Sequence, residues 1–172
     1  MRLFVAVWPD DAVVDQLAGL DRPVIDGVRW TSRDEWHITL RFLGEVDDAS
    51  TIEVALQHAA ARAQPVRAGV GPCVERVGNM LWAPVSGLDD VARCVVSGTA
   101  SIGAAPDDRP FRGHVTLARQ RSRKKGSALR AAQGQPLSGA WEVGEMELVC
   151  SHLGPGGPRY ETIARVPLGL PD

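Results

Sequence analysis

The chain has 172 residues, of which 44% are hydrophobic and 23% are charged. These are ordinary values for a folded protein and exclude a mainly disordered chain. The formal net charge of −2 by itself indicates neither an acidic nor a basic partner. At this length we expect one domain over residues 1–172.

The cysteines and the N-terminus indicate a cytoplasmic protein without membrane contact. Cys73, Cys94 and Cys150 are odd in number, far apart and without Cys-x-x-Cys spacing, so we expect buried, reduced thiols. The apolar run at residues 3–8 is too short for a signal peptide or a membrane span, and it predicts a first strand.

Hydrophobic periodicity predicts strands and helices that alternate along the chain. The predicted strands lie at residues 3–8, 28–30, 36–43, 66–70, 79–85, 114–118, 141–150 and 159–166. Helices are predicted to begin at Asp10, at Ser50 and at Asp89. The spacing of Ser50 and Glu53 is that of a capping box. His58 lies off the apolar stripe of the second helix, so it is expected to face solvent.

One tetrapeptide pattern occurs twice, as HITL at residues 37–40 and HVTL at 114–117. By composition, a given His would have Thr at +2 and Leu at +3 in about three cases per thousand, so the pair is informative. Residues i and i+2 of a strand point to the same face. Each motif therefore places an imidazole beside a hydroxyl, while the aliphatic residues at +1 and +3 anchor the other face.

The two halves of the chain follow the same order of strand, helix and motif strand, and the motif histidines lie 77 residues apart. This repetition predicts an α+β fold of two similar lobes of antiparallel sheet, with helices outside and the motif strands facing a central cleft. Two histidines and two threonines would then meet at a single phosphate, as metal-free phosphodiester chemistry requires.

Residues 109–141 carry eight Lys and Arg and no acidic residue, which leaves −10 for the rest of the chain. A basic surface beside His114 would attract a polyanion such as RNA. The alternative is a solvated loop whose cations keep the protein in solution.

The chain resembles the two-histidine phosphoesterase superfamily, and within it the bacterial RNA 2',3'-cyclic phosphodiesterases historically called 2'-5' RNA ligases. The matching segments are residues 1–6, 36–45, 76–77, 81–82, 111–119, 151–160 and 167–168. Gly113 departs from the pattern, because relatives commonly have Pro before the second histidine.

The resemblance implies hydrolysis of RNA 2',3'-cyclic phosphate ends to a 2'-phosphate, without a cofactor or metal. His37 would be the acid at the 3' oxygen and His114 the base, while Thr39 and Thr116 bind the phosphate. One neutral and one protonated imidazole can coexist near neutral pH, and hydroxyls can stabilise the growing charge on the non-bridging oxygens. The family also implies Arg119 as a further phosphate or base-side contact.

The alternation of side chains along a strand indicates which residues near the motifs can face the cleft. Arg119 has an odd offset from His114, so its strand must end, bulge or twist near Ala118 for Arg119 to reach the cleft. Arg41 has an even offset from His37 and is either a substrate contact at the rim or a solvated strand residue. Phe42 has an odd offset from His37, so it is expected to face the core. For Tyr160 packing is favoured over stacking on a nucleobase.

Several alternatives remain open from the sequence. Structural histidines or a zinc site are conceivable, but neither motif has a second ligand at i+2 or i+4. Functionally, the alternatives are reversible 2'-5' joining of RNA ends and a non-catalytic RNA-binding module. The expected partners are RNA with 2',3'-cyclic phosphate ends or small cyclic nucleotides, and the family implies a monomer.

Overall fold

The computed structural model describes residues 1–121, 128–155 and 157–169. Ten strands are present in these ranges: β1 Arg2–Val7, β2 Val28–Trp30, β3 Ile38–Glu45, β4 Val66–Val70, β5 Glu75–Val77, β6 Met80–Ser86, β7 His114–Gln120, β8 Gly139–Val143, β9 Glu145–Gly154 and β10 Gly157–Pro167. The helices are α1 Asp11–Ala18, α2 Ser50–Ala60 and α3 Asp89–Gly98, and short 3₁₀ turns lie at Arg33–Glu35 and Ala128–Ala132. None of the helices in these ranges is long and apolar enough to cross a membrane.

The strands form an antiparallel sheet in the order β10-β9-β1-β3-β7-β6-β4-β8, with β2 beside β7 and β5 beside β6. The two halves of this sheet join where β3 pairs with β7, through Ile38 and Val115. The predicted α+β fold of antiparallel sheet and outer helices is confirmed. The two motif strands lie side by side at the junction.

The core occupies one face of the sheet, beneath the helices. On β1, Leu3, Val5 and Val7 point into it. All three helices contribute buried residues to the same core, including Leu17 of α1 and Leu56 of α2. The alternate residues of β1, Phe4 and Ala6, belong to a separate small cluster with Val149, Trp8 and Tyr160. The opposite face is therefore left for the cleft.

Each motif strand contains a bulge at the last residue of its motif. On β3, Thr39 pairs with Ala6 and Arg41 pairs with Val5, so Leu40 is the extra residue. On β7, Thr116 pairs with Trp82 and Ala118 pairs with Leu81, so Leu117 is the extra residue. A bulge inverts the alternation of side chains beyond it, so the parity counted from the histidine fails after the fourth motif residue.

Several predicted boundaries were wrong for local reasons. The predicted strand 141–150 is broken at Gly144 into β8 and β9. Ser50 begins α2 but is not its cap, because its N–H and hydroxyl both donate to the Asp48 carboxylate. Strand β5 was not predicted.

Cys73 and Cys94 are half-buried, and only Cys150 is fully buried as expected. Part of the basic segment, residues 122–127, lies outside the described residues.

Arg41 is a buried residue, so the expectation of a solvated strand residue was wrong, while its role as a substrate contact stays a prediction. Its side chain is only 5% exposed. Nη2 donates to three backbone carbonyls at the end of α3, those of Thr99, Ile102 and Ala104, at 2.9–3.2 Å. The bulge at Leu40 turns Arg41 toward this segment. Burial also lowers the pKa of the guanidinium.

We expect Arg41→Met to destabilise the fold by about 2–4 kcal/mol, because the carbonyls of Thr99, Ile102 and Ala104 all lose the charged donor that ties them to β3. Urea unfolding measures this change. Arg67→Met is the matched control, since Arg67 makes an exposed ion pair with Glu142 that is worth roughly 0–1 kcal/mol. Unchanged stability in Arg41→Met would show that the carbonyl contacts do not hold this segment.

Candidate active site

The pairing of β3 with β7 brings the two motifs together. Because Ile38 lies opposite Val115 in an antiparallel pair, His37 lies opposite Thr116 and Thr39 opposite His114. All four side chains line one cavity of about 380 Å³. Each imidazole thus has a threonine of its own motif two residues along the strand and a threonine of the other motif across from it.

Both imidazoles are anchored in the same way. His37 Nδ1 lies 2.8 Å from the carbonyl oxygen of Glu35, and His114 Nδ1 lies 2.7 Å from that of Arg112. A carbonyl can only accept, so each Nδ1 carries the proton. Nε2 then has a free lone pair in the neutral ring and a proton in the imidazolium, so it can act as a base or an acid.

His37 is surrounded by aromatic rings. Its ring centroid lies 4.9 Å from Phe4, 4.9 Å from the edge-on ring of Tyr160 and 5.3 Å from Trp8. This burial lowers the pKa of His37 to about 4, and the nearby positive charges of His114 and Arg119 act in the same direction. The Glu35 carbonyl opposes the shift only in part. At pH 7 the His37 ring is therefore neutral.

His114 has a different environment. Trp82 stacks face to face on it, with the centroids 3.6 Å apart and the planes at 10°. The Arg112 guanidinium lies 5.3 Å from the centre of the Trp82 ring. Burial lowers the pKa of His114, and Arg119 and Arg112 lower it further. The two histidines are therefore both held by a backbone carbonyl at Nδ1, but different aromatic rings pack against them.

Gly113 explains how β6 approaches the second motif. A Cβ at this position would lie 2.4 Å from the carbonyl oxygen of Val85, so no side chain fits on this backbone. The Val85 N–H donates to the Gly113 carbonyl at 2.8 Å. Gly113 thus permits close contact of β6 with the segment that precedes His114.

A second cavity of about 920 Å³ adjoins the first, and Thr39, His114 and Thr116 line both. Trp82, Met80 and Phe111 contribute much of its apolar wall. Three of the four motif side chains therefore lie where a polar cavity and a larger, more apolar one meet, and His37 lines the polar cavity alone. Arg41 also borders the second cavity, but its Nη2 is held by the three carbonyls described above.

The bulges bring the residue five places after each histidine into the cleft. Arg119 lines both cavities, where its Nη1 lies 3.3 Å from the sulfur of Met80. Phe42 occupies the matching place in the first motif, is 44% exposed and also lines both cavities. The expectation that Phe42 belongs to the core was therefore wrong. Arg119 reaches the cleft by the bulge that its predicted role required.

Sequence reasoning missed an ion pair beside His37. Arg29 donates to both carboxylate oxygens of Glu35, at 2.9 and 2.7 Å, and Glu35 is only 9% exposed. Glu35 also accepts from the N–H and the hydroxyl of Ser32, as in a capping box. This holds the 3₁₀ turn whose carbonyl anchors His37. The Ser32-x-x-Glu35 spacing was the signal that could have revealed it.

The chemistry available in the cleft is proton transfer and anion binding. Two anchored imidazoles, two threonine hydroxyls and Arg119 surround a space where a phosphate would be held. Among the residues that the structure describes, no group of three or more His, Cys, Asp or Glu could hold a metal ion. Phosphate binding by Thr39, Thr116 and Arg119 stays a prediction.

Comparison with known proteins agrees with this geometry. The model of the 2'-5' RNA ligase superfamily matches residues 9–155, which include both motifs. The chain belongs to this superfamily.

Individual relatives of the superfamily extend the match. An RNA 2',3'-cyclic phosphodiesterase of Geobacillus stearothermophilus is 32% identical over 83% of this chain, although the chain spans only about half (49%) of that protein. One of Aeropyrum pernix is 32% identical, with 79% of this chain and 84% of the relative covered. The structure of E. coli LigT complexed with 3'-AMP is similar with a TM-score of 0.74 and 27% identity, over 97% of each chain.

We expect the His37 ring to titrate at about 4 in the free protein, because burial and nearby cations disfavour the imidazolium. Adding inorganic phosphate should raise this pKa by about one unit or more, since an anion between the rings favours the charged form. Ring ¹H–¹³C NMR measures both values, and His37→Gln assigns the signal. A free-protein pKa near 6.5 would show that the aromatic cage does not desolvate the ring.

We expect the pKa of His114 to be lower in Trp82→Leu than in Trp82→Phe. Both replacements keep an apolar neighbour, but only Phe retains a π-face that stabilises the imidazolium. The same NMR titration measures the difference. Trp30 provides the control pair, since its Nε1 donates to the Pro23 carbonyl and it lines neither cavity. Equal His114 pKa values in the two Trp82 variants would rule out stabilisation by the stack.

Proposed function

We propose that this protein hydrolyses the 2',3'-cyclic phosphate at RNA ends and leaves a 2'-phosphate. The observation that carries the proposal is the pair of imidazoles, each with Nδ1 held by a backbone carbonyl, that line one cavity with two threonines. The names of the relatives support this substrate class, and the 3'-AMP bound by LigT supports an RNA-type ligand.

In the proposed reaction, His114 Nε2 takes a proton from water as the water oxygen bonds to phosphorus. The bond between phosphorus and the 3' oxygen breaks, and His37 Nε2–H gives its proton to that oxygen. The product carries a 2'-phosphate and a 3'-hydroxyl, and a return proton transfer restores both rings. Thr39 and Thr116 donate to the non-bridging oxygens, where negative charge accumulates, and Arg119 adds a positive charge.

The low pKa of His37 is compatible with its role as the acid. An imidazolium with a low pKa is a strong proton donor to the leaving oxygen. This imidazolium is scarce at neutral pH in the protein alone, but the anionic substrate favours the charged ring. The substrate thus brings about the protonation state that its own cleavage needs.

We propose that the protein acts as a monomer in the cytoplasm. The three free cysteines fit a reducing compartment. Both RNA ends and small cyclic nucleotides present the same cyclic phosphate to the motif residues.

A short RNA with a 2',3'-cyclic phosphate, incubated with EDTA, tests the proposal. We expect conversion to a 2'-phosphate in the wild type and a loss of about 10²–10⁴-fold in kcat for His37→Ala and for His114→Ala. Thr39→Val and Thr116→Val should lose less, since each removes one of several phosphate contacts. Full turnover in both histidine variants would refute the mechanism, and binding without turnover in the wild type would favour an RNA-binding module.

A substrate with sulfur in place of the 3' oxygen assigns the two roles. A thiolate leaves without a proton, so the acid is no longer needed. We expect this substrate to restore turnover to His37→Ala and not to His114→Ala. If the sulfur substrate restored turnover in His114→Ala alone, His114 would be the acid and His37 the base.

A further inference from the structure

The first cavity carries more positive charge than the reacting phosphate requires. Three arginines line it, Arg2, Arg29 and Arg119, against the single carboxylate of Glu35. With neutral imidazoles this leaves two positive charges, whereas a cyclic phosphodiester carries one negative charge. Since Arg29 is held by Glu35 in a bidentate pair, the uncompensated charges belong to Arg2 and Arg119.

Arg2 lies away from the reacting centre. It precedes by two residues Phe4, whose ring contacts His37, and it lies on the same face of β1. Two residues of strand correspond to about 7 Å. Within the part of the chain that the structure describes, Arg2 makes no ion pair. Its guanidinium lies 5.0 Å from the centre of the Phe42 ring.

Tyr160 lines the same cavity as these three arginines. Its ring packs against His37 and Phe4. Burial and, after it, the Glu35 carboxylate raise the pKa of the Tyr160 phenol, while the positive charges of Arg119, Arg29 and Arg2 all oppose the shift. The phenol hydroxyl therefore lies within the electrostatic reach of all three. A neutral hydroxyl among cations can donate to an anion that those cations attract.

We propose that Arg2 and Tyr160 form a second anion subsite, which binds the phosphate on the 5' side of the terminal nucleotide. The inference rests on the proposed function, because the cyclic phosphate must lie between His37 and His114. Its consequence concerns the substrate class: an RNA chain or a 5'-phosphorylated nucleotide is preferred over a nucleoside 2',3'-cyclic phosphate. Arg119 binds the reacting cyclic phosphate, and Arg2 binds the phosphate on the 5' side of the same nucleotide.

Adenosine 2',3'-cyclic phosphate with and without a 5'-phosphate tests this subsite, because the two differ only in the second anion. We expect the 5'-phosphate to raise kcat/KM of the wild type by roughly tenfold, as for a contact with a charged group. In Arg2→Gln the ratio between the two substrates should fall toward one. Arg67→Gln removes an arginine distant from both cavities and should keep the wild-type ratio.

A dinucleotide substrate separates the contribution of the internal phosphate to kcat/KM from that of the upstream nucleoside. An uncharged methylphosphonate linkage in place of the internal phosphodiester should lower kcat/KM by a similar factor in the wild type and have little effect in Arg2→Gln. Equal kcat/KM for both linkages in the wild type, or an unchanged ratio in Arg2→Gln, would overturn the subsite. Failure of the wild type to hydrolyse any of these substrates would instead overturn the proposed function.

Discussion

The direct pairing of β3 with β7 through Ile38 and Val115 is the constraint on which the candidate site depends. These two residues occupy the same place in the two motifs, and both side chains are fully buried. Their burial fixes the register, because a slip by one residue would move every side chain of the strand to the other face. With this register, histidine and threonine of both motifs point away from the core. Core packing and the geometry of the site are therefore set by the same contact.

The bulges at Leu40 and Leu117 add a second constraint. Each places its leucine in the core and turns the residue two places later into the cleft. The two halves of the molecule use this shared geometry differently, since Phe42 supplies a ring and Arg119 a charge. A repeated backbone thus presents one apolar and one cationic side chain to the same cleft.

The sequence was sufficient to predict the alternation of strands and helices and the side-by-side placement of His37 and Thr39, because both follow from local periodicity. It was insufficient beyond the fourth motif residue. A bulge depends on how β3 pairs with β1, and nothing within residues 36–45 marks it, so Phe42 was wrongly expected in the core. Arg41 was misplaced for the same reason, since its carbonyl partners lie some sixty residues away.

The electrostatics of the cleft follow from placing cations and imidazoles together in a partly buried space. Burial in the aromatic cage and the charge of Arg119 keep His37 neutral at pH 7, which avoids a buried, unpaired imidazolium. Glu35 pairs with Arg29 and leaves Arg119 without a carboxylate partner among the described residues. A carboxylate that paired with Arg119 would weaken the attraction for a phosphate by offering an internal anion in its place. The pairing of Glu35 with Arg29 thus anchors His37 and leaves the positive charge at the motif residues available to the ligand.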